Sequence, residues 1–209
     1  MILAAPLAAQ LAHPRGLTGR LLGQVMDLVN QGPIRLAVDK LAPESGERIL
    51  DAGCGTGAAL AEVSARADCT LHGVDKSRSM VAMARRRLSG RATVCVQDIA
   101  DIPDAWAPFD GALALNVLYF ADATCRMISG LRRPLREGGR LVAYVTHRKT
   151  MERWPFIRAG VHRLYDAHEL EDALVAGGFR RTLISIEEHV IAKGVRGLIA
   201  RAERGAITV

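Results

Sequence analysis

Residues 48–60 constrain the fold of this chain more than any other stretch. They read Arg-Ile-Leu-Asp-Ala-Gly-Cys-Gly-Thr-Gly-Ala-Ala-Leu, a short apolar run that ends on an acid, then three glycines alternating with small residues, then a helical pattern. This order predicts a buried strand, a tight turn and the start of a helix, which is the geometry of a nucleotide-binding loop. Glycine suits such a turn because it adopts left-handed backbone angles and lets a ligand approach the bare main chain.

The kind of ligand depends on Asp51, the acid before the first glycine. The spacing Gly53-x-Gly55-x-x-Ala58 also satisfies the dinucleotide fingerprint, whose last position tolerates alanine. A pyrophosphate at a helix start favours positive potential, however, and a carboxylate beside it would repel it. A ligand that carries an ammonium and a sulfonium would be attracted instead. The Asp-x-Gly-x-Gly-x-Gly form resembles the first motif of class I S-adenosylmethionine (SAM) methyltransferases, while a dinucleotide site and a purely structural turn stay open as alternatives.

The rest of the chain alternates between strand and helix patterns. Strands are predicted at 49–52, 70–75, 93–97, 109–115 and 141–146. Helices are predicted between them, with Ser77, Asp122 and the Asp166/Glu169 capping box as amino-terminal caps. The tail reads as a hairpin of residues 181–191 and 197–204. These βα units and the hairpin predict an α/β, Rossmann-like doubly wound fold whose seven-stranded sheet is mostly parallel with an antiparallel C-terminal hairpin.

Residues 1–46 are predicted to form N-terminal cap helices and a lead-in. Gly32-Pro33 should interrupt the helical pattern, so that a second short helix runs over 34–41. This helical pair could pack on the sheet edge or cover a cofactor. The predicted SAM-binding domain is then 47–209, with 147–165 as a cap insertion.

Four predicted strands end in polar side chains, and ligands in open α/β sheets lie beyond the carboxyl ends of the strands. Asp75 can accept hydrogen bonds from ribose hydroxyls, Asp98 can accept from the amine of adenine, and the Ile99 amide can donate to a ring nitrogen. Asp51 and the Gly53 carbonyl would face the methionine ammonium, and Asn116 would border the methyl group. The predicted cofactor-binding residues are Asp51, Gly53, Gly55, Gly57, Asp75, Lys76, Asp98, Ile99 and Asn116.

Residues 48–180 are similar to class I SAM-dependent methyltransferases of the broad small-molecule type (the methyltransferase-11/25-like group). The stretch Asn116-Val-Leu-Tyr-Phe-Ala-Asp122 resembles the Asn-x-x-Tyr-Phe-Trp-x-Asp-like segment of a bacterial subgroup. That subgroup also has a Pro-x-Gly-x-x-Gly lead-in, present here at 14–19, and a cap segment echoed by Met151, Phe156, Gly160 and Tyr165. One departure is Ala121, which stands where tryptophan is expected and predicts a larger pocket beside Tyr119.

The resemblance implies methyl transfer from SAM to a small-molecule acceptor with a nitrogen or oxygen nucleophile. Methyl transfer from a sulfonium is an in-line displacement, and positioning supplies much of the rate. His147, just after predicted strand five, is a candidate base, a substrate-positioning residue or an ordinary rim residue. Tyr119 and Tyr165 are the other catalytic candidates, with half-buried packing as their alternative role.

Composition limits the remaining function classes. The 209 residues are 49% hydrophobic, enough for a folded core, and no apolar run approaches the ~20 residues of a membrane span. The four cysteines lack zinc spacing and fit reduced thiols, so no metal site and a cytoplasmic location are expected. The net charge of +6 keeps RNA methylation as the runner-up, although arginine clusters such as 85–87 are expected to be solvated helix faces. A SAM-binding protein without turnover is a further alternative.

Overall fold

The computed structural model describes residues 16–122, 124–154, 157 and 163–206, and for residues 16–28 only the helical backbone. Pro14 of the predicted lead-in and the cap residues Phe156 and Gly160 lie outside the described residues. The helices are α1 (Gly16–Leu41), α2 (Ala58–Ser64), α3 (Arg78–Leu88), α4 (Arg126–Arg132), α5 (Arg148–Met151) and α6 (Ala167–Ala176). The strands are β1 (Arg48–Ala52), β2 (Thr70–Asp75), β3 (Ala92–Val96), β4 (Phe109–Leu115), β5 (Leu135–Thr146), β6 (Ile184–Ala192) and β7 (Val195–Glu203).

The seven strands form one sheet in the order β3-β2-β1-β4-β5-β7-β6. Strands β1 to β5 pair in parallel, and β7 pairs antiparallel with both β5 and β6. The strand order reverses between β1 and β4, which is the place where open α/β sheets bind ligands. The predicted doubly wound sheet with an antiparallel hairpin is confirmed.

Apolar side chains fill both faces of the sheet. One core cluster joins the carboxyl-terminal part of α1 to α2 and α3 through Leu41, Leu60 and Leu88. The other joins α4 and α6 through Ile128 and Leu170. Both faces are therefore covered, as the continuous apolar runs of β1 and β4 require. Among the described residues, no helix is both long and apolar enough to cross a membrane.

The predicted break in the N-terminal helix is wrong, because α1 continues through Pro33. Proline lacks an amide hydrogen and crowds the preceding residue, but that residue is Gly32, which has no Cβ to clash with the ring. Pro33 is buried, so packing offsets the lost hydrogen bond. The division of the chain at residue 46 stays a prediction.

A second correction concerns the start of α4. Asp122 does not cap this helix, which begins after Cys125 in a left-handed conformation (φ 56°). Instead, Asp122 Oδ1 accepts a hydrogen bond from the Thr124 amide at 3.0 Å. A short acidic side chain can close such a turn as readily as it caps a helix, so the sequence alone does not separate the two. Ser77 and the Asp166/Glu169 capping box are found as predicted.

Candidate cofactor and acceptor site

The glycine turn connects β1 to α2 at the carboxyl end of the sheet. Gly53, Gly55 and Gly57 all have positive φ angles, of 78°, 51° and 77°. A Cβ on Gly53 would lie 2.2 Å from Val117 Cγ1, and one on Gly57 would lie 3.1 Å from Leu88 Cδ1, so the outer two glycines allow close packing. A Cβ on Gly55 would meet nothing within 4 Å. The middle glycine therefore faces open space where a ligand can approach the main chain.

Asp51 is the second-last residue of β1, next to this turn, and is only 2% exposed. Its Oδ2 atom has no hydrogen-bond partner among the described residues. Burial, and then the negative charge of Asp75, raise the pKa of the Asp51 carboxyl to about 7. A buried carboxylate without a partner is costly, and a cationic ligand group would relieve that cost. The site therefore fits an ammonium far better than a pyrophosphate.

Asp75 ends β2 and joins the glycine turn to α3. Its Oδ2 accepts a hydrogen bond from the Gly55 amide at 3.0 Å, and its Oδ1 accepts one from the Ser77 amide at 2.7 Å. The carboxylate thus lies at the rim of the turn, as the sequence predicted. Its proposed contact with ribose hydroxyls stays a prediction.

Asp98, after β3, lies beside Lys76, with 2.8 Å between Asp98 Oδ2 and Lys76 Nζ. Its Oδ1 accepts from the Ala100 amide at 3.0 Å. Burial acts to raise the pKa of Asp98, but the hydrogen bonds from Lys76 and Ala100 outweigh it, and the pKa falls below its usual value. Ile99 is buried at the start of the next turn, in the core cluster that joins α4 and α6. A shallow pocket opens here, lined by Lys76, Asp98, Ala100, Asp101, Phe120, Asp122, Arg126 and Met127.

Asn116 follows β4 in the left-handed conformation, with φ 57°. Its Oδ1 accepts a hydrogen bond from the Tyr119 hydroxyl at 2.9 Å, and the same hydroxyl accepts one from the Thr146 amide. Tyr119 is 6% exposed, and burial raises the pKa of its phenol. A phenol that is buried and already bonded on both sides is held neutral, so the geometry favours a positioning role over a catalytic one for Tyr119.

Tyr165 is fully buried and donates its hydroxyl hydrogen to the Leu118 carbonyl at 2.8 Å. Burial raises the pKa of Tyr165 to about 12. Its main chain bridges to His147, where the Arg148 amide donates to the Tyr165 carbonyl at 2.7 Å. The expected catalytic role is not supported by this position, because the phenol cannot reach a ligand without leaving the core.

His147 lies at the end of β5 as predicted, and its ring caps the short helix α5. Its Nδ1 accepts a hydrogen bond from the Lys149 amide at 3.0 Å. A backbone amide can only donate, so in the neutral imidazole the hydrogen resides on Nε2. The neutral ring then has no free basic nitrogen for an acceptor, and Nε2 is a hydrogen-bond donor. The geometry favours the positioning role for His147 over the base role.

Sequence reasoning missed two supports of the site. Arg87 was expected on a solvated face, but its Nη1 donates to the carbonyl of Thr56 in the glycine turn at 3.1 Å. Asn30 of α1 accepts a hydrogen bond from Asn116 Nδ2 at 3.1 Å. The position of Arg87 on α3 was only a weak indication of this contact, because the glycine turn with Thr56 lies 31 residues earlier in the sequence. Asn30 and Asn116 are 86 residues apart, and no local pattern connects them.

Known proteins share both the sequence pattern and the fold. A family profile described as a methyltransferase domain matches residues 49–139. An O-methyltransferase of Pyrenophora dematioidea is 28% identical over 123 residues, which cover 56% of this chain and 46% of that protein. The malonyl-[acyl-carrier protein] O-methyltransferase of a Methylovorus species is 31% identical over 169 residues, which cover 73% of this chain and 56% of the relative. The chain thus spans about half the length of the curated relatives it matches.

Among solved structures, the methyltransferase in complex with the Trm112 activator from Haloferax volcanii aligns with a TM-score of 0.78 at 16% identity. The alignment covers 90% of this chain and 94% of the other, which shows a common fold. The profile match begins at β1 and includes the glycine turn and the ends of β1 to β4. The region from β1 to the middle of β5 therefore matches a methyltransferase domain, and the chain shares the fold of solved methyltransferases.

Proposed function

We propose that this protein transfers the methyl group of SAM to a small-molecule acceptor with an oxygen or nitrogen nucleophile. The observation that carries the proposal is the buried Asp51 carboxylate, whose Oδ2 has no hydrogen-bond partner among the described residues, beneath a glycine turn with open space at Gly55. This pair of features matches a cofactor that presents an ammonium group near the main chain. The match of residues 49–139 to a methyltransferase domain and the O-methyltransferase relatives support the same activity.

The chain's own residues would bind and orient the two reactants. SAM, when bound, supplies an activated methyl group with a good leaving group. Asp51 would bind the ammonium, Asp75 the ribose hydroxyls, and Asp98 with the Ile99 amide the adenine. Lys76 neutralises Asp98 in the present structure. Asn116 and the donor atom of His147 would orient the acceptor, since correct placement is the main source of rate in such a displacement.

The class of acceptor follows from the hydrogen bonds that the rim side chains already make. His147, Tyr119 and Tyr165 do not present a free base in this structure, because the histidine Nδ1 and both phenols are already bonded. An acceptor that needs no proton removed, such as a carboxylate or a neutral amine, suits this arrangement. The Nε2–H of His147 could then donate to a carboxylate oxygen and hold it in line.

Calorimetry and product analysis test the proposal together. The purified protein is titrated with SAM and with its demethylated product, S-adenosylhomocysteine. It is then incubated with SAM and carboxylic acids, phenols and amines while S-adenosylhomocysteine formation is followed. We expect micromolar binding and turnover with a carboxylate or amine before a phenol.

Two matched variants distinguish a loss of the cofactor site from the backbone strain that any side chain causes at a glycine with positive φ. Gly55→Val should weaken cofactor binding at least about tenfold, because the side chain fills the open space. Gly194→Val is the control, since Gly194 also has a positive φ (77°) and open surroundings but lies in the hairpin turn between β6 and β7. Equal cofactor affinity in wild type, Gly55→Val and Gly194→Val would reject the site.

A further inference from the structure

A chain of hydrogen bonds crosses the rim from β5 to α1. The Thr146 amide donates to the Tyr119 hydroxyl, which donates to Asn116 Oδ1 at 2.9 Å. Asn116 Nδ2 then donates to Asn30 Oδ1 at 3.1 Å. Thr146 ends β5, Asn116 directly follows β4, Tyr119 lies in the turn after it, and Asn30 lies in α1. The chain therefore connects the N-terminal helix with the strand ends that form the predicted methyl site.

The Thr146 amide fixes which group donates and which accepts in each of these hydrogen bonds. A backbone amide can only donate, so the Tyr119 hydroxyl uses its own hydrogen for Asn116. Asn116 must then present oxygen to Tyr119 and its NH2 group to α1. Asn30 is left with one permitted orientation, in which its side-chain oxygen accepts. The structure thus requires an acceptor at position 30, which a carboxylate can supply and an aliphatic side chain cannot.

Asn30 lies beyond the part of α1 that is anchored in the core. Ala37, Val38 and Leu41 are completely buried, whereas Val29 is 70% exposed. Pro33 is buried and Ile34 packs against the first core cluster, so the core-anchored part of α1 begins about one helical turn after Asn30. Apolar packing therefore holds the carboxyl-terminal end of α1, while the contact with Asn116 holds the helix near the ligand rim.

We propose that Asn30 is a positioning residue that fixes the Asn116 side chain and secures α1 against the cofactor rim. The inference rests on the proposed function, because it concerns the same site. Without an acceptor at position 30, Asn116 Nδ2 loses its bond to α1, and the side-chain amide is then held only by the Tyr119 hydroxyl at Oδ1. The left-handed backbone of Asn116 already restricts this residue, so its side chain is the remaining degree of freedom.

Two variants of nearly equal size test the role. Asn30→Asp keeps an oxygen acceptor, whereas Asn30→Leu removes it. With S-adenosylhomocysteine as the probe, we expect Asn30→Leu to raise the Kd about tenfold and Asn30→Asp to stay within about threefold of wild type. Hydrogen exchange of the backbone amides in residues 29–36 should become faster in Asn30→Leu only. Far-UV circular dichroism confirms that both variants fold.

A double-mutant cycle distinguishes coupling through the hydrogen bonds of Tyr119, Asn116 and Asn30 from a local packing effect at position 30. Tyr119→Phe removes the group that orients Asn116, so adding Asn30→Leu should then cost much less than it does in wild type. Additive losses, or equal Kd values for Asn30→Asp, Asn30→Leu and wild type, would overturn the role of Asn30. If wild type itself fails to bind S-adenosylhomocysteine, the proposed function fails instead. The two failures are therefore distinguishable.

Discussion

At Asp51 the requirements of folding and of ligand binding oppose each other. The residue is the second-last of a buried strand, so its carboxyl group loses water without gaining a partner for Oδ2 among the described residues. Burial and the charge of Asp75 hold its pKa at about 7. In the folded protein the group binds protons that the unfolded chain would release. Sequence reasoning found this residue from the motif, but burial and the resulting pKa follow from three-dimensional packing.

Cofactor affinity should rise with pH through this pKa. A ligand ammonium needs the ionised carboxylate, and with a pKa of about 7 the ionised fraction rises roughly eightfold between pH 6 and pH 7.5. Calorimetry with S-adenosylhomocysteine should show tighter binding at pH 7.5 and proton release at pH 6, detected by comparing buffers of different ionisation enthalpy. Asp51→Asn should bind weakly at both pH values. Wild-type affinity that is independent of pH would contradict the role of this carboxylate.

The same carboxyl should make the ligand-free protein less stable as the pH rises. Its folded pKa lies above the unfolded value of 3.8, so the folded state binds more protons and stability falls between about pH 4 and pH 7. We expect wild type to lose roughly 2–3 kcal/mol relative to Asp51→Asn between pH 5 and pH 8. Urea denaturation at the two pH values measures the difference. A constant difference between the two proteins would show that the group titrates alike in both states.

At the scale of elements, the apolar pattern predicted the central strands well because β4 and the second half of β5 are almost entirely apolar. Strands β2 and β4 have the predicted bounds, and the capping box of α6 is present. The break predicted at Pro33 was wrong; Gly32 has no Cβ to clash with the proline ring, and Pro33 is buried in a helix that continues to Leu41. The long-range ties between elements, such as Asn30 with Asn116, were not predictable from local patterns, since they depend on how α1 packs.

A buried ion pair secures the carboxyl end of α1. Arg140 on β5 bonds both Glu47 carboxylate oxygens at 2.8 and 2.7 Å and also donates to the Leu41 and Ala42 carbonyls. Arg140→Met should destabilise the fold by about 2–4 kcal/mol, because it leaves the mostly buried Glu47 carboxylate without its arginine partner. Adding Glu47→Leu should recover part of this loss. Chemical denaturation provides the measurement.

The control for this prediction is an exposed pair. Arg196 bonds Glu188 at 2.7 Å with side chains 61% and 39% exposed, so Arg196→Ala should cost at most about 1 kcal/mol. If Arg140→Met were as mild as Arg196→Ala, the buried pair would not secure α1.

For the whole molecule, the distribution of charge matters more than the net value of +6. Arginines of the 85–87 cluster and of a second cluster at 132–136 are engaged within the protein. In the second cluster, Arg133 pairs with Asp104 at 2.8 Å and Arg136 pairs with Asp110 at 2.6 Å. Arg85 donates to the Val94 carbonyl at 2.8 Å. Nucleic-acid phosphates would have to compete with these partners. The engaged arginines therefore favour a small acceptor over RNA, the runner-up from the sequence.

Ligand-induced stabilisation of the whole fold discriminates between a SAM site and a dinucleotide site. The glycine turn, β1 and β2 belong to one core, so a ligand at the turn should raise the global unfolding temperature. At about 100 times its Kd, S-adenosylhomocysteine should add about 2.7 kcal/mol. For a chain of this length that corresponds to roughly 5–10 °C. NAD at the same concentration should give no shift, because its pyrophosphate would lie against Asp51.

The variant Gly55→Val should lose this shift while Gly194→Val keeps it, which ties the stabilisation to the turn. A shift with NAD and none with S-adenosylhomocysteine would reverse the assignment, because Asp51 would then have to be protonated beside a phosphate. That outcome would also require wild-type NAD affinity to increase below pH 7, the opposite of the dependence expected for an ammonium. The sign of the pH dependence and the identity of the stabilising ligand therefore test one electrostatic argument in two independent ways.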